Sequence, residues 1–159
     1  MLPKILVISN DPFSKETANG RTLGNFFLHY PSDRLAELYT NDYPLDLINC
    51  SYFLLSDKMV LDRALKHKDG GETRNFNPKI VVSNAAEKSL RKNHTKNPLT
   101  CLERELLWRV FGLKSKKLKI WLSFYKPEII LIQEGDSAFM LKLARRIAKL
   151  WKAKFVIFC

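Results

Sequence analysis

Long apolar runs are missing from this sequence. Its longest aliphatic stretches, Ile5–Ile8 and Ile129–Ile132, are four residues each, whereas a membrane-spanning helix needs roughly 20. The opening residues lack both the apolar length and the small-residue cleavage site of a secretory signal. Cytoplasmic residence is therefore expected. Cysteine is scarce: Cys50, Cys101 and Cys159 are an odd number with no metal-ligand spacing, as expected of reduced thiols. His29, His67 and His94 stand apart, with no His-x-Glu or Cys-x-x-Cys pattern, so no metal site is expected. The six glycines form neither G-x-G-x-x-G nor G-x-x-x-x-G-K-[ST], which leaves dinucleotide and P-loop phosphate binding unsignalled. A nucleophile elbow is absent too. Neither a cofactor nor a catalytic residue is assigned.

Basic charge is abundant. The formal net charge is +11. Sixteen Lys/Arg and five Asp/Glu lie between Arg63 and Lys126, and the rest of the chain carries eleven of each. The whole excess therefore sits in the middle segment. A one-sided basic field attracts polyanions, whether nucleic acid, anionic lipid or a phosphorylated substrate.

The 159 residues fit one domain. Lys4–Asn10 is a compact aliphatic run of the kind buried on both faces of a parallel sheet. A polar loop over 11–21 follows, and Thr22 is placed to cap a helix over 23–30 that Pro31 stops. Residues 34–40 alternate as a second strand. Ser56-Asp57 opens a helix to about Lys68, while residues 69–97, rich in Gly, Asn and Lys, read as a long, mobile insertion with one brief strand at Ile80–Val82. A helix is expected over 98–112, with Leu99, Leu102, Leu106, Val110 and Leu113 as its apolar stripe. Ser115 opens the next helix, over 116–125, with Ile120, Trp121 and Phe124 near one side. Strand 128–133, a loop at 134–137, helix 138–151 and a buried-type strand 154–159 close the chain. Strand-loop-helix-strand units at both ends predict an α/β, Rossmann-like three-layer sandwich with a mainly parallel sheet. The sequence stops at a strand's carboxyl end, where ligand-binding loops normally follow. That stop is expected of a truncated domain.

Three stretches are candidate sites. Asn19, Gly20, Arg21 and Thr22 lie on the loop after the first strand, where helix-opening amides favour an anion such as a diphosphate; alternatively, Asn19-Gly20 is only a turn. Glu134, Gly135, Asp136 and Ser137 offer polar groups suited to sugar hydroxyls, or else Asp136 or Ser137 merely caps the following helix. Arg104, Trp108, Arg109, Lys116, Lys117, Lys119 and Trp121 interleave cations and aromatics. That pattern suits a helix in a membrane interface, a core-facing stripe with a solvated basic face, or nucleic-acid binding.

Lys4–Ser9, the loop ending Ala18-Asn19-Gly20-Arg21-Thr22-Leu23, and Lys126-Pro127-Glu128 before Ile129–Gln133 together resemble bacterial retaining glycosyltransferases of the GT-B class (family-4-like). The likeness is carried by about 80 residues at the two ends. It implies that the chain is the N-terminal, acceptor-side domain, with its donor-binding domain absent. A sugar would pass from a nucleotide-sugar to a lipid-linked polysaccharide or glycolipid acceptor, without a metal. The resemblance puts Gly20 near the donor diphosphate and residues 134–137 towards the sugar. Catalytic residues would follow Cys159, so the fragment alone is expected to be inactive. The implied partners are nucleotide-sugar, acceptor and an anionic membrane surface, with peripheral attachment to its inner face. No nucleic acid is expected; the alternative is a non-catalytic basic α/β module that contacts it.

Overall fold

The computed structural model describes residues 2–77, 98–133 and 138–158. Their six strands form one sheet in the order β4-β3-β2-β1-β5-β6. β1 (Ile5–Ser9) is central, flanked in parallel by β2 (Leu35–Tyr39) and β5 (Ile129–Gln133). β3 (Ser51–Leu54) adds in parallel to β2, and β6 (Lys154–Phe158) to β5. Only β4 (Glu72–Arg74) runs antiparallel, against β3. Gly71, at φ 91°, makes the turn into it, a left-handed conformation open to glycine at little cost.

Because side chains alternate across a strand, β1 splits between two cores. Leu6 and Ile8 join one, beneath α2 (Asp57–Lys66), α3 (Pro98–Phe111), α4 (Lys116–Tyr125) and α5 (Ala138–Trp151). Val7 joins the other, beneath α1 (Ala18–Phe27) and the segment carrying Leu45 and Ile48. The chain is thus an α/β, Rossmann-like three-layer sandwich, as expected from the sequence.

Local signals explain several boundaries. Ser56 Oγ accepts from Met59 N and Ser115 Oγ from Leu118 N, so α2 and α4 begin where their serines place them. The Asp69 carboxylate also accepts from the amides of Lys116 and Lys117, at 2.9 and 3.0 Å, which sets a negative charge at the N-terminus of α4.

Four expectations are corrected. α1 starts at Ala18, capped by Thr17, whose Oγ1 accepts from Gly20 N; Thr22 lies inside the helix and donates to Ala18 O at 3.0 Å. β2 is buried along its whole length rather than alternating, because strands flank it on both sides and layers cover both its faces. β6 is an edge strand with Val156 and Ile157 exposed, since among the described residues it pairs only with β5. Finally, residues 72–74 of the supposed insertion are ordered as β4; the expected strand at 80–82 lies outside the described residues.

Candidate functional site

The carboxyl ends of β1 and β2 converge on one polar cluster. Thr40 N and Asn41 N donate to Asn10 O, at 3.2 and 2.8 Å. Asn41 Nδ2 donates to Asp11 Oδ1 at 2.7 Å, and Lys15 N to Asp46 Oδ1 at 2.9 Å. The loop from β1 to α1 is thus tied to its neighbours by named bonds at both ends.

Beneath it lies Glu37, fully buried in the middle of β2. Its Oε2 accepts from Phe13 N at 2.9 Å. Ser9 Oγ lies 2.8 Å from Glu37 Oε1 and 2.8 Å from the Asp11 carbonyl oxygen. A hydroxyl has one proton to donate. It satisfies both neighbours only if Glu37 itself carries a proton and gives it to Oγ. Burial, reinforced by the nearby Asp11 carboxylate, pushes the Glu37 carboxyl up to about 8, against opposing bonds from Phe13 and Ser9. Geometry and electrostatics agree on a neutral Glu37 at pH 7. As an acid it closes a chain from Glu37 through Ser9 to Asp11, and so supports the loop from below. Sequence reasoning misses this group, yet a signal is present: one carboxylate in the middle of Leu35-Ala36-Glu37-Leu38-Tyr39.

Of the first candidate stretch, Asn19, Arg21 and Thr22 are exposed on the first turns of α1, and Gly20 is buried. Gly20 serves close approach rather than a turn. A Cβ there would press on the Pro12 carbonyl oxygen and lie 2.8 Å from Ser14 N. Gly20→Ala is expected to lower stability by about 1–3 kcal/mol through overpacking, although alanine is the better helix former by ~1 kcal/mol. Thermal melting checks this; an unchanged or raised Tm would show that the loop yields freely.

The second stretch, Glu134, Gly135, Asp136 and Ser137, lies outside the described residues. Just beyond it, the Glu105 carboxylate accepts from Phe139 N at 2.7 Å, at the start of α5.

The third stretch divides. Arg109, Lys116, Lys117 and Lys119 are exposed, and Arg104 is half-buried against Asp57 at 3.0 Å. The two tryptophans correct the expectation, because both belong to the core. Trp108 is 3% exposed, stacks on Phe139 with centroids 4.5 Å apart, and donates Nε1–H to Asp57 Oδ1 at 2.6 Å. Trp121 packs against Phe53 and donates to Ser51 Oγ at 2.9 Å. Their indoles fill the interior, so neither is available to a membrane in this conformation. The apolar residues left in solvent are others: Leu102, Leu106 and Val110 on α3, and Ile120 and Phe124 on α4. The stripe expected to face the core on α3 therefore faces outward, and Leu113 alone of its described side chains is buried.

Among the described residues no group of His, Cys, Asp and Glu is placed to hold a metal ion, and no helix is long and apolar enough to cross a membrane. No protein-family model, curated protein or solved structure gives a significant match to the chain.

Proposed function

We propose that this chain is the acceptor-side half of a two-domain sugar transferase of the GT-B type. It would work on a lipid-linked or glycolipid acceptor at an anionic membrane face, with the nucleotide-sugar held mainly by a second domain. The observation that carries this reading is the junction of β1 and α1. There, a loop braced by Glu37, Asn10 and Asn41 delivers the first turn of α1, with Gly20 buried against Pro12, to the carboxyl edge of a parallel sheet. Ligands of open α/β sheets sit at that edge, and helix-opening amides suit a diphosphate.

The membrane half of the reading is supported by side chains other than the tryptophans. Leu102, Leu106 and Val110 recur four residues apart on α3, as Ile120 and Phe124 do on α4, and all are exposed. Arg109 on α3 and Lys116, Lys117 and Lys119 on α4 are exposed on the same two helices. Apolar side chains that enter the acyl boundary, beside cations that meet anionic headgroups, are what interfacial binding requires.

Sugar transfer is the direct test. The protein encoded by the complete gene is incubated with a panel of labelled nucleotide-sugars and a lipid extract, and label is expected in the lipid fraction. No transfer from any donor would sink the enzymatic reading. In parallel, the chain is expected to sediment with anionic vesicles, much less with neutral ones, and more weakly at high salt. Leu106→Ser with Phe124→Ser should release it; indifference to lipid charge would remove the membrane half.

A further inference from the structure

A shallow groove of about 560 Å³ opens between α3 and α5, lined by Trp108, Arg109, Phe139, Lys142, Leu143, Arg145 and Arg146. Its four cations have few internal partners. Lys142 Nζ reaches Glu105 Oε2 at 3.6 Å. Arg146 Nη1 donates to the Arg109 carbonyl at 2.9 Å, and the Arg145 guanidinium lies over the Phe155 ring at 5.9 Å. Among the described residues, Glu105 is the only carboxylate paired with any of the four. The groove therefore keeps a positive surplus that favours an anion. Three of the cations are arginines, whose planar forks match phosphate oxygens in pairs.

Its floor has a different character. Trp108 and Phe139 stack at 21° between ring planes. On α3, Arg109 lies on the helix side that also carries the exposed Leu102 and Leu106, because residues three, four and seven apart share a face. Cations over a buried aromatic floor, beside an exposed aliphatic stripe, suit a ligand whose charged head meets the cations and whose greasy body follows the stripe. The volume falls within the ordinary range of small-molecule sites.

We propose that the groove between α3 and α5 binds the phosphate head of an anionic amphiphile, held by Arg109, Lys142, Arg145 and Arg146, with its apolar part along the exposed Leu102 and Leu106 of α3. The site is separate from the loop between β1 and α1. It deepens the lipid-acceptor reading, on which it rests only for the choice of a lipid as ligand.

Calorimetric titration of the full chain tests it, using dihexanoyl phosphatidic acid as monomers, dihexanoyl phosphatidylcholine, inorganic phosphate and a short single-stranded oligonucleotide. Phosphatidic acid is expected to bind saturably, at least about tenfold tighter than phosphate or the zwitterionic lipid. The double variant Arg109→Ala/Lys142→Ala is expected to lose about tenfold or more. Lys58→Ala/Lys68→Ala, which removes equal charge from exposed positions elsewhere, is expected to lose little. Equal losses in both variants would reduce the effect to net charge and overturn the site. Inorganic phosphate as tight as the lipid would remove the amphiphile, and tight oligonucleotide binding lost in the same double variant would hand the groove to nucleic acid. Melting curves establish that the variants fold, and Lys142→Gln alone serves if the double variant does not. Lipid binding without sugar transfer leaves the groove standing and sinks the enzyme; transfer without lipid binding does the reverse.

Discussion

The chain is expected to lose stability as pH rises from about 5 to 8, and Glu37→Gln is expected to abolish that loss. Folded Glu37 keeps its proton to about 8, against an ordinary value of 4.5 that the unfolded chain regains. Between these values the folded state binds one proton more than the unfolded state. Raising the pH therefore favours unfolding, with a slope that approaches about 1.4 kcal/mol per pH unit for a single group. The stabilisation is complete below the unfolded value and gone above the folded one. Glutamine is uncharged at every pH, and its amide can donate to Ser9 Oγ while its oxygen accepts from Phe13 N, the two bonds that neutral Glu37 makes. The informative quantity is the difference between wild type and variant, measured by urea unfolding at several pH values. Parallel profiles would mean that Glu37 is ionised in the folded protein and that Ser9 leaves one neighbour unsatisfied.

The same group bears on function. Phe13 and Asp11 belong to the loop that precedes α1, and Glu37 reaches both, the second through Ser9. Ionisation turns Ser9 into a donor to the carboxylate and releases the Asp11 carbonyl. Any ligand held by that loop should then bind with a pH dependence that Glu37→Gln removes, an effect that a merely space-filling residue would not produce.

How much of this is legible in the sequence depends on whether one element or several decide the outcome. Ser56 and Ser115 are legible as caps because each stands immediately before helical spacing, and the bond that fixes them spans three residues. Strand identities are legible too, since Ile5–Ser9 and Ile129–Gln133 have few other uses. The start of α1 is easily misplaced because Thr17 and Thr22 both offer a hydroxyl, and Gly20 beside Asn19 looks like a turn. Its true role, close approach to Pro12, involves a neighbour eight residues back. Glu37 escapes notice because Leu35–Tyr39 also fits an alternating strand with Glu37 outside. Only β3, pairing on its far side, and the layer carrying Phe13 enclose it. The face that α3 turns inward is hidden for a similar reason. Leucines at helical spacing suggest a core stripe, whereas the choice between Leu106 and Trp108 is made by Asp57 and Phe139 on other helices.

That choice gives the second large effect. Trp108→Ala is expected to cost about 3–5 kcal/mol, the range for removing a buried tryptophan, which for a domain of this size is a large part of its total stability. Three contacts are lost together: the stack on Phe139, the bond to Asp57, and the filling of the core shared with Leu113 and Leu143. Asp57 opens α2 and also pairs with Arg104 at 3.0 Å, so it keeps a cation when the indole goes. The cavity and the lost stacking therefore account for most of the destabilisation. Trp108→Phe keeps much of the packing and loses the Nε1–H donor, and should cost distinctly less. The pair separates the two roles available to this tryptophan. An indole that served a membrane could be removed with little change in urea unfolding while vesicle binding fell. A core indole gives the opposite order: stability collapses first, and at temperatures where the variant still folds, sedimentation with anionic vesicles persists through Leu102, Leu106 and Phe124. Unchanged unfolding in Trp108→Ala would put the indole outside the core, and with it the packing of α3 against α5 on which the groove depends.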